Sequence, residues 1–502
     1  MRLNMKLKYV LLLLLLFACV ESSFSHTRPV KGTWVNLFWQ DERNNYMNPR
    51  YMDITDPLLW KTKIEELHDM GMEYVVIMAV ANEERACYPS GFMEPAYPED
   101  RQSPVEAIME AADECGMSVF MSCGWAKNQL DNLKDPDVKE TQLRIMEETA
   151  RLFSGHKSFY GWYLPVEDSF EPVLSDHAVQ AVNALAARAR ELTPGKMVMI
   201  SPYGLCNADY ASPKFAEQIR RLKVDIIAYQ DEVGCVREPM PMRRMKEHFK
   251  ILGDIHEETG IRFWANVESF TWDRETNSWY SSLVPAAFGR YLSQLVGVSQ
   301  AGVDNVLSFS IYGIYDRPGS PFPLGQPVWS NVAYNDYMDW LSGKGRWPLL
   351  EATFYDSVAN GAQGKTVSAS GASCPSLLTD GDFGYEDCGA SQWCRFDGGK
   401  MEAVIDLENI AEICSLAVRF LNYAHAAVSI PRIVDFYVSD TGECFEKVST
   451  VVMDNTPNVL HDCWIDLAST GPVSARGRYV KVVAECEDGD ICCDEIFINP
   501  VF

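Results

Sequence analysis

The sequence predicts an α/β protein: a (β/α)8 TIM barrel followed by an all-β sandwich. Three observations predict it. Short apolar, β-branched or aromatic runs alternate with longer amphipathic stretches from residue 30 to about 345. That rhythm belongs to βα units around a parallel sheet. Several of the amphipathic stretches end in glycine just before the next apolar run, at Gly71, Gly116, Gly195, Gly260 and Gly302, which suits the left-handed turn that closes a helix. After Trp347-Pro348 the helical period disappears, and short strands alternate with Gly, Asp, Asn and Ser.

Counting the units decides the architecture. Candidate strands cover 32–39, 74–80, 118–125, 159–167, 197–204, 224–231, 262–270 and 305–314. Between them, 58–70, 104–115, 137–153, 175–192, 213–222, 240–259 and 283–301 carry apolar residues at spacings of three and four, the mark of an amphipathic helix. Eight units fit a barrel spanning 30–348. A doubly wound sheet would leave the eighth unit and the missing dinucleotide fingerprint unexplained. The second domain, 355–502, reads as a sandwich with strands at 403–407, 416–422, 433–439, 464–467, 479–484 and 496–499.

Residues 1–25 read as an export signal. Arg2, Lys6 and Lys8 precede six leucines, Leu11 to Leu16, and no acid occurs in the first ten positions. The apolar run from Val10 to Cys19 is shorter than the ~20 residues a transmembrane helix needs. It ends in Leu16-Phe17-Ala18-Cys19, which resembles a bacterial lipoprotein cleavage box. That resemblance makes Cys19 a lipidation site and tethers the exported protein to a membrane, in the periplasm or at the cell surface. The alternative is ordinary cleavage near Ser23 to Ser25.

The formal net charge of −26 repels phosphate backbones, so nucleic acid is excluded as a partner. The sandwich carries 9 basic and 23 acidic side chains, a balance in which a structural calcium loop is conceivable. Without Cys19, five cysteines precede residue 240 and nine follow residue 370. Both groups are odd, which argues for buried thiols over a disulfide framework in each domain. No C-x-x-C or H-x-x-x-H pair points to a metal site, and no G-x-S-x-G elbow, Walker loop or G-x-G-x-x-G occurs. No cofactor is expected.

Reactive groups of such barrels cluster at the carboxyl ends of the strands. Strand four, FYGWYLPVED, ends in Glu167, and strand seven, FWANVESF, ends near Glu268. The two strands lie on opposite sides of the mouth, so two carboxylates there flank a bond. Glycoside hydrolysis requires such a pair, one to protonate the leaving oxygen and one to attack or to activate water.

The placement resembles the clan-A glycoside hydrolases. More closely, Gly32-Thr33-Trp34, Gly161-Trp162-Tyr163-Leu164-Pro165-Val166-Glu167, Gln230-Asp231-Glu232-Val233-Gly234 and Trp264-Ala265-Asn266-Val267-Glu268 resemble an uncharacterised family of TIM-barrel glycosyl hydrolases. The tail, with Leu378-Thr379-Asp380-Gly381, Trp393, Ile405-Asp406-Leu407 and Val438-Ser439-Asp440, is similar to the discoidin or coagulation-factor C-type sandwich, whose relatives often bind sugars. The resemblance implies Glu167 as general acid/base and Glu268 as nucleophile of a retaining mechanism. Clan-A enzymes usually carry Asn before the acid/base, and here that position is Val166. This departure leaves open inversion, another way of holding the sugar, or a barrel without turnover.

Further candidates follow from strand ends. Asp231 is the reserve catalytic acid, or with Gln230 a ligand of sugar hydroxyls, and Tyr229 a residue orienting Glu268. Trp39, Trp125, Trp272 and Tyr312 are candidate stacking platforms. Asn36, Tyr203 and Asn266 are candidate hydroxyl ligands, and Glu83-Glu84 reads as a solvated loop pair. Two functions compete: a glycoside hydrolase acting on a poly- or oligosaccharide, and a non-catalytic surface glycan-binding lipoprotein.

Overall fold

The structure is a computed structural model. It describes residues 27–38, 55–127, 131–166, 168–234, 240, 242–272, 283–326, 328–345, 360–381, 384, 388–389, 391–453 and 463–500.

Eight parallel strands close into a barrel: β1 (Gly32–Val35), β2 (Tyr74–Ile77), β3 (Ser118–Ser122), β4 (Phe159–Tyr163), β5 (Met197–Ile200), β6 (Ile226–Gln230), β7 (Arg262–Glu268) and β8 (Asn305–Phe309). Each falls inside the range expected from sequence. Each is followed by a helix: α1 (Pro57–Asp69), α2 (Pro104–Cys115), α3 (Pro136–Phe153), α4 (Asp176–Leu192), α5 (Pro213–Arg221), α6 (Met242–His256), α7 (Phe288–Gln300) and α8 (Trp329–Leu341). Local chemistry sets the helix ends. Ser103 and Glu106 form a reciprocal capping box on α2, and Pro104 occupies its first turn, where a missing N–H costs nothing. All five glycines singled out above have φ between +71° and +85°, the region where a Cβ is penalised.

One helix starts later than its periodicity suggests. Leu283–Pro285 is a short strand paired antiparallel with Phe270–Trp272, and α7 begins at Phe288. Pro285 accounts for this, since it biases Val284 to extended backbone.

Side chains alternate between two layers along every barrel strand. Trp34, Val76, Phe120, Tyr163, Met199, Ile226, Ala228, Trp264 and Leu307 fill the lumen as one cluster. Their neighbours Val35, Val75, Val119, Trp162, Val198, Ile227, Tyr229, Ala265 and Val306 pack outward against the helices. The barrel is therefore plugged, and chemistry is confined to its rim.

The tail forms two antiparallel sheets. The strands are β9 (Thr366–Ala369), β10 (Cys394–Phe396), β11 (Lys400–Ile413), β12 (Leu416–Tyr423), β13 (Ile433–Ser439), β14 (Glu446–Val452), β15 (Cys463–Ser469), β16 (Ala475–Glu485) and β17 (Ile491–Ile498). One sheet runs β9-β11-β16-β13-β14 and the other β10-β17-β12-β15, with a shared apolar core that includes Phe396, Ile405, Phe420, Phe436 and Ile496. Val284, Val328 and Trp329 of the barrel domain pack against Ala417 and Phe497 of the sandwich, and the Arg419 guanidinium lies 5.2 Å from the Trp329 ring centre. Burying such a Trp is worth about 3–5 kcal/mol against Ala.

Candidate active site at the barrel mouth

The alternation that fills the lumen also selects which polar groups top it. On β7 the inward series is Trp264, Asn266, Glu268, and on β6 it is Ile226, Ala228, Gln230. Asn266 donates its Nδ2–H to Ser201 Oγ at 3.1 Å, and Gln230 Nε2 donates to the Ser201 carbonyl at 2.9 Å. Asn36, 3% exposed, follows β1 and accepts the Phe38 N–H at 3.0 Å. Asn266 Oδ1 is buried without a hydrogen-bond partner. Asn36, Gln230, Asn266 and Glu268 thus form one polar layer over an apolar plug.

Glu268 is the most strained electrostatically. It is 5% exposed, and its Oε2 has no partner. Burial pushes its carboxyl well above the usual range, and the nearby Asp231 and Glu232 push in the same direction. Arg290 and the Gly234 N–H act oppositely. Gly234 closes over the glutamate. A Cβ there would lie 2.4 Å from the Phe270 carbonyl oxygen and 3.3 Å from Glu268 Oε2.

Behind the strand end, three side chains hold the Glu268 backbone. Its N–H donates to Asp231 Oδ1 at 3.0 Å. Gln294 Nε2 donates to Asp231 Oδ2 at 2.6 Å and to the Glu268 carbonyl at 3.0 Å. Arg290 donates to the Phe270 carbonyl and, at 3.5 Å, to that of Glu268. Burial raises Asp231 to about 6, and the donors from Glu268 and Gln294 limit the rise. Asp231 therefore faces the helix layer and braces Glu268, which corrects the expectation that it meets sugar hydroxyls. Glu232, at φ +57°, accepts N–H groups from Gly204 and Cys206, joining the β5 and β6 loops.

Two aromatic expectations are also corrected. Tyr229 lies one position out of phase with Gln230, so its ring is buried among helix-layer side chains. Its hydroxyl is 3.0 Å from His256 Nε2, while His256 Nδ1–H donates to the Ile261 carbonyl. Tyr312 stacks on Trp60 of α1 at 5.6 Å and is 3% exposed, so it offers no platform. Trp125 is 2% exposed and packs in the lumen cluster with an unpartnered Nε1. It also lines a mouth cavity of about 290 Å³ with Gln142, Pro165 and Asp168. Tyr203 is half-buried, and its carbonyl accepts the Phe170 N–H at 3.1 Å, beside that mouth. Glu83 and Glu84 sit exposed in the turn between the short strands 81–82 and 85–86. Cys19, Trp39, Glu167 and the ring of Trp272 lie outside the described residues.

A larger cavity, about 600 Å³, lies between α6 and α7 at the opposite end of the strands, lined by Lys246, Lys250, His256 and Asp304 among others. It has no contact with the polar layer. Among the described residues, no group of three or more His, Cys, Asp or Glu is arranged to hold a metal ion, so the calcium expectation gains no ligand set from them.

A family model described as "Domain of unknown function (DUF4434)" matches residues 30–321. No curated protein matches the chain. Among solved structures, one from Bacteroides thetaiotaomicron, proposed to be an alpha-L-fucosidase, aligns at 17% identity and TM-score 0.50. It covers 63% of this chain and 96% of its own. A Ruminococcus gnavus fucosidase in complex with fucose aligns at 10% identity and TM-score 0.30, covering 95% and 93%. A Clostridium perfringens carbohydrate-binding module in complex with GalNAc-β-1,3-galactose aligns at 16% identity and TM-score 0.22, covering 28% and 99%. The first of these likenesses agrees with the barrel fold.

Proposed function

We propose that this chain, which belongs to the DUF4434 family, is a glycoside hydrolase acting on a poly- or oligosaccharide through Glu167 and Glu268. One observation carries the reading. Glu268 projects from a barrel strand end into a polar layer, with a buried carboxylate oxygen that no protein group satisfies, and such a group awaits a substrate or a proton. Likeness of fold to a barrel proposed to be an alpha-L-fucosidase supports the reading.

In the retaining scheme, Glu167 protonates the glycosidic oxygen while the Glu268 carboxylate attacks the anomeric carbon, and the aglycone leaves. Glu167 then takes a proton from water, which attacks the same carbon and frees Glu268. No cofactor enters the balance. Asn36, Gln230 and Asn266 hold sugar hydroxyls, and Trp39, Trp125, Trp272 and Tyr203 border the sugar. The sandwich binds glycan, and lipidated Cys19 anchors the exported protein to a membrane.

The raised pKa of Glu268 favours a second assignment of roles, with Glu268 as proton donor and Glu167 as the attacking or water-activating carboxylate. Glu268→Gln separates them. Loss of hydrolysis of every substrate with sugar affinity retained marks the nucleophile, while retained hydrolysis of glycosides with activated leaving groups marks the proton donor. Unchanged release of sugar removes Glu268 from the reaction.

A further inference from the structure

The odd cysteine counts argue for free thiols, yet two thiols of the sandwich meet across a strand pair. Ala372 and Phe396 form an antiparallel bridge. Ser373 N–H donates to the Arg395 carbonyl at 2.8 Å, and Arg395 N–H donates to Ser373 Oγ at 2.8 Å. Continued one step, the same pairing sets Cys374 against Cys394, and the two thiols are close enough to act on one another electrostatically. The backbone of Cys374 is extended, with φ −154° and ψ 91°. Because the 373/395 pair carries the one backbone hydrogen bond between the strands among the described residues, the regular alternation makes 374/394 a non-hydrogen-bonded position, where side chains approach most closely. Positions of that kind stand about 4.5 Å apart between Cα atoms in regular sheets, which lies within the disulfide range.

We propose that Cys374 and Cys394 form a disulfide that clamps the start of the sandwich onto β10. The competing partner is Cys493, which faces Cys394 across the β10–β17 ladder. Exposure favours Cys374: both thiols have a local contact, Cys374 Sγ with Ser376 Oγ at 3.3 Å and Cys493 Sγ with the Glu495 carbonyl at 4.0 Å, but Cys493 is fully buried in the core. Cys374 is half-exposed and so reachable by an oxidant, whereas Cys394 is buried. The chemistry balances with a disulfide oxidant such as glutathione disulfide. The Cys374 thiolate attacks it and expels one glutathione thiolate. The Cys394 thiolate then attacks the Cys374 sulfur and expels the second, the two protein protons going to the leaving thiolates. The inference needs an oxidising compartment in life, which export supplies, but the pairing itself is testable without export.

The full chain, reduced, is incubated with glutathione disulfide, alkylated and digested after aromatic residues. That cleavage, at Phe383, Tyr385 and Trp393, puts Cys374, Cys388 and Cys394 on separate peptides. The expected result is a Cys374–Cys394 linked peptide, about 2 Da lighter than the sum of its reduced parts. Cys374→Ser removes that peptide and leaves Cys394 alkylated, and Cys493→Ser leaves the linked peptide in place. Full alkylation of Cys374 and Cys394 in the wild type overturns the proposal, and so does a Cys394–Cys493 link. The same map on protein recovered from an exporting host reports export separately. A reduced pair there with a linked pair in vitro overturns the compartment reading and keeps the pairing.

Discussion

Replacing Glu268 by Gln should stabilise the protein at neutral pH. The carboxyl is 5% exposed, one oxygen is unpartnered, and Asp231 and Glu232 add like charge. A buried polar group without its partner costs about 1–3 kcal/mol, more when charged. A neutral amide of nearly the same shape escapes the charged part, so a gain of about 1–3 kcal/mol is expected. The direction with pH follows from linkage. The folded pKa of Glu268 lies above its ordinary 4.5, so the unfolded chain loses this proton first as pH rises. The stability it contributes is fully present below 4.5 and is lost as pH climbs towards the folded value. Asp231 contributes with the same sign between 3.8 and about 6. Calorimetry of wild type and variant from pH 4 to 8 should show nearly equal melting at the acid end and a gap that widens with pH. The gap should reach a few degrees, since about 1 kcal/mol moves Tm by about 2–4 °C in domains of 150–250 residues. A variant less stable at pH 8, or a gap independent of pH, refutes the reasoning.

Other outcomes follow from the same contacts. Asp231→Asn puts a donor against either the Glu268 N–H or the Gln294 amide, costs about 1–3 kcal/mol in urea unfolding, and lowers the pKa of Glu268 by removing a neighbouring charge, read in the pH profile of any hydrolysis. Gly234→Ala sets a Cβ 2.4 Å from the Phe270 carbonyl and should cost about 1–3 kcal/mol while displacing the loop over Glu268. In the sandwich, Arg419 and Asp494 are both fully buried with a closest approach of 3.4 Å. Arg419→Met should cost about 3–5 kcal/mol at pH 7, with part of the loss recovered below pH 6 as Asp494, already raised to about 6 by burial, protonates. Trp329→Ala should split one calorimetric transition into two, because its ring joins barrel to sandwich.

What the sequence disclosed, and what it hid, has physical causes. The eight strands were legible because each apolar run is bounded by turn residues, and glycines such as Gly116 mark helix ends. Phase within a strand was not. Ile226 to Tyr229 are all buried, since barrel strands face packed layers on both sides, and a continuous apolar run carries no alternation to show that Gln230 points in and Tyr229 out. Arg290 and Gln294 escaped notice although a signal existed. They stand four apart in the apolar helix 288–300, hence on one helical face, and a buried Arg there needs acceptors. The Cys374–Cys394 approach depends on strand register, which cysteine counting cannot give.

The most direct test of the central claim is sugar release from a panel of polysaccharides and oligosaccharides by the wild type and by Glu268→Gln. The expected result is release of reducing ends by the wild type from at least one glycan. The variant should lose at least about a thousandfold of that rate, roughly 4 kcal/mol of transition-state stabilisation, while glycan affinity measured by calorimetric titration stays unchanged. Binding of a glycan with no release by either protein contradicts the hydrolase and supports the non-catalytic glycan-binding reading in its place.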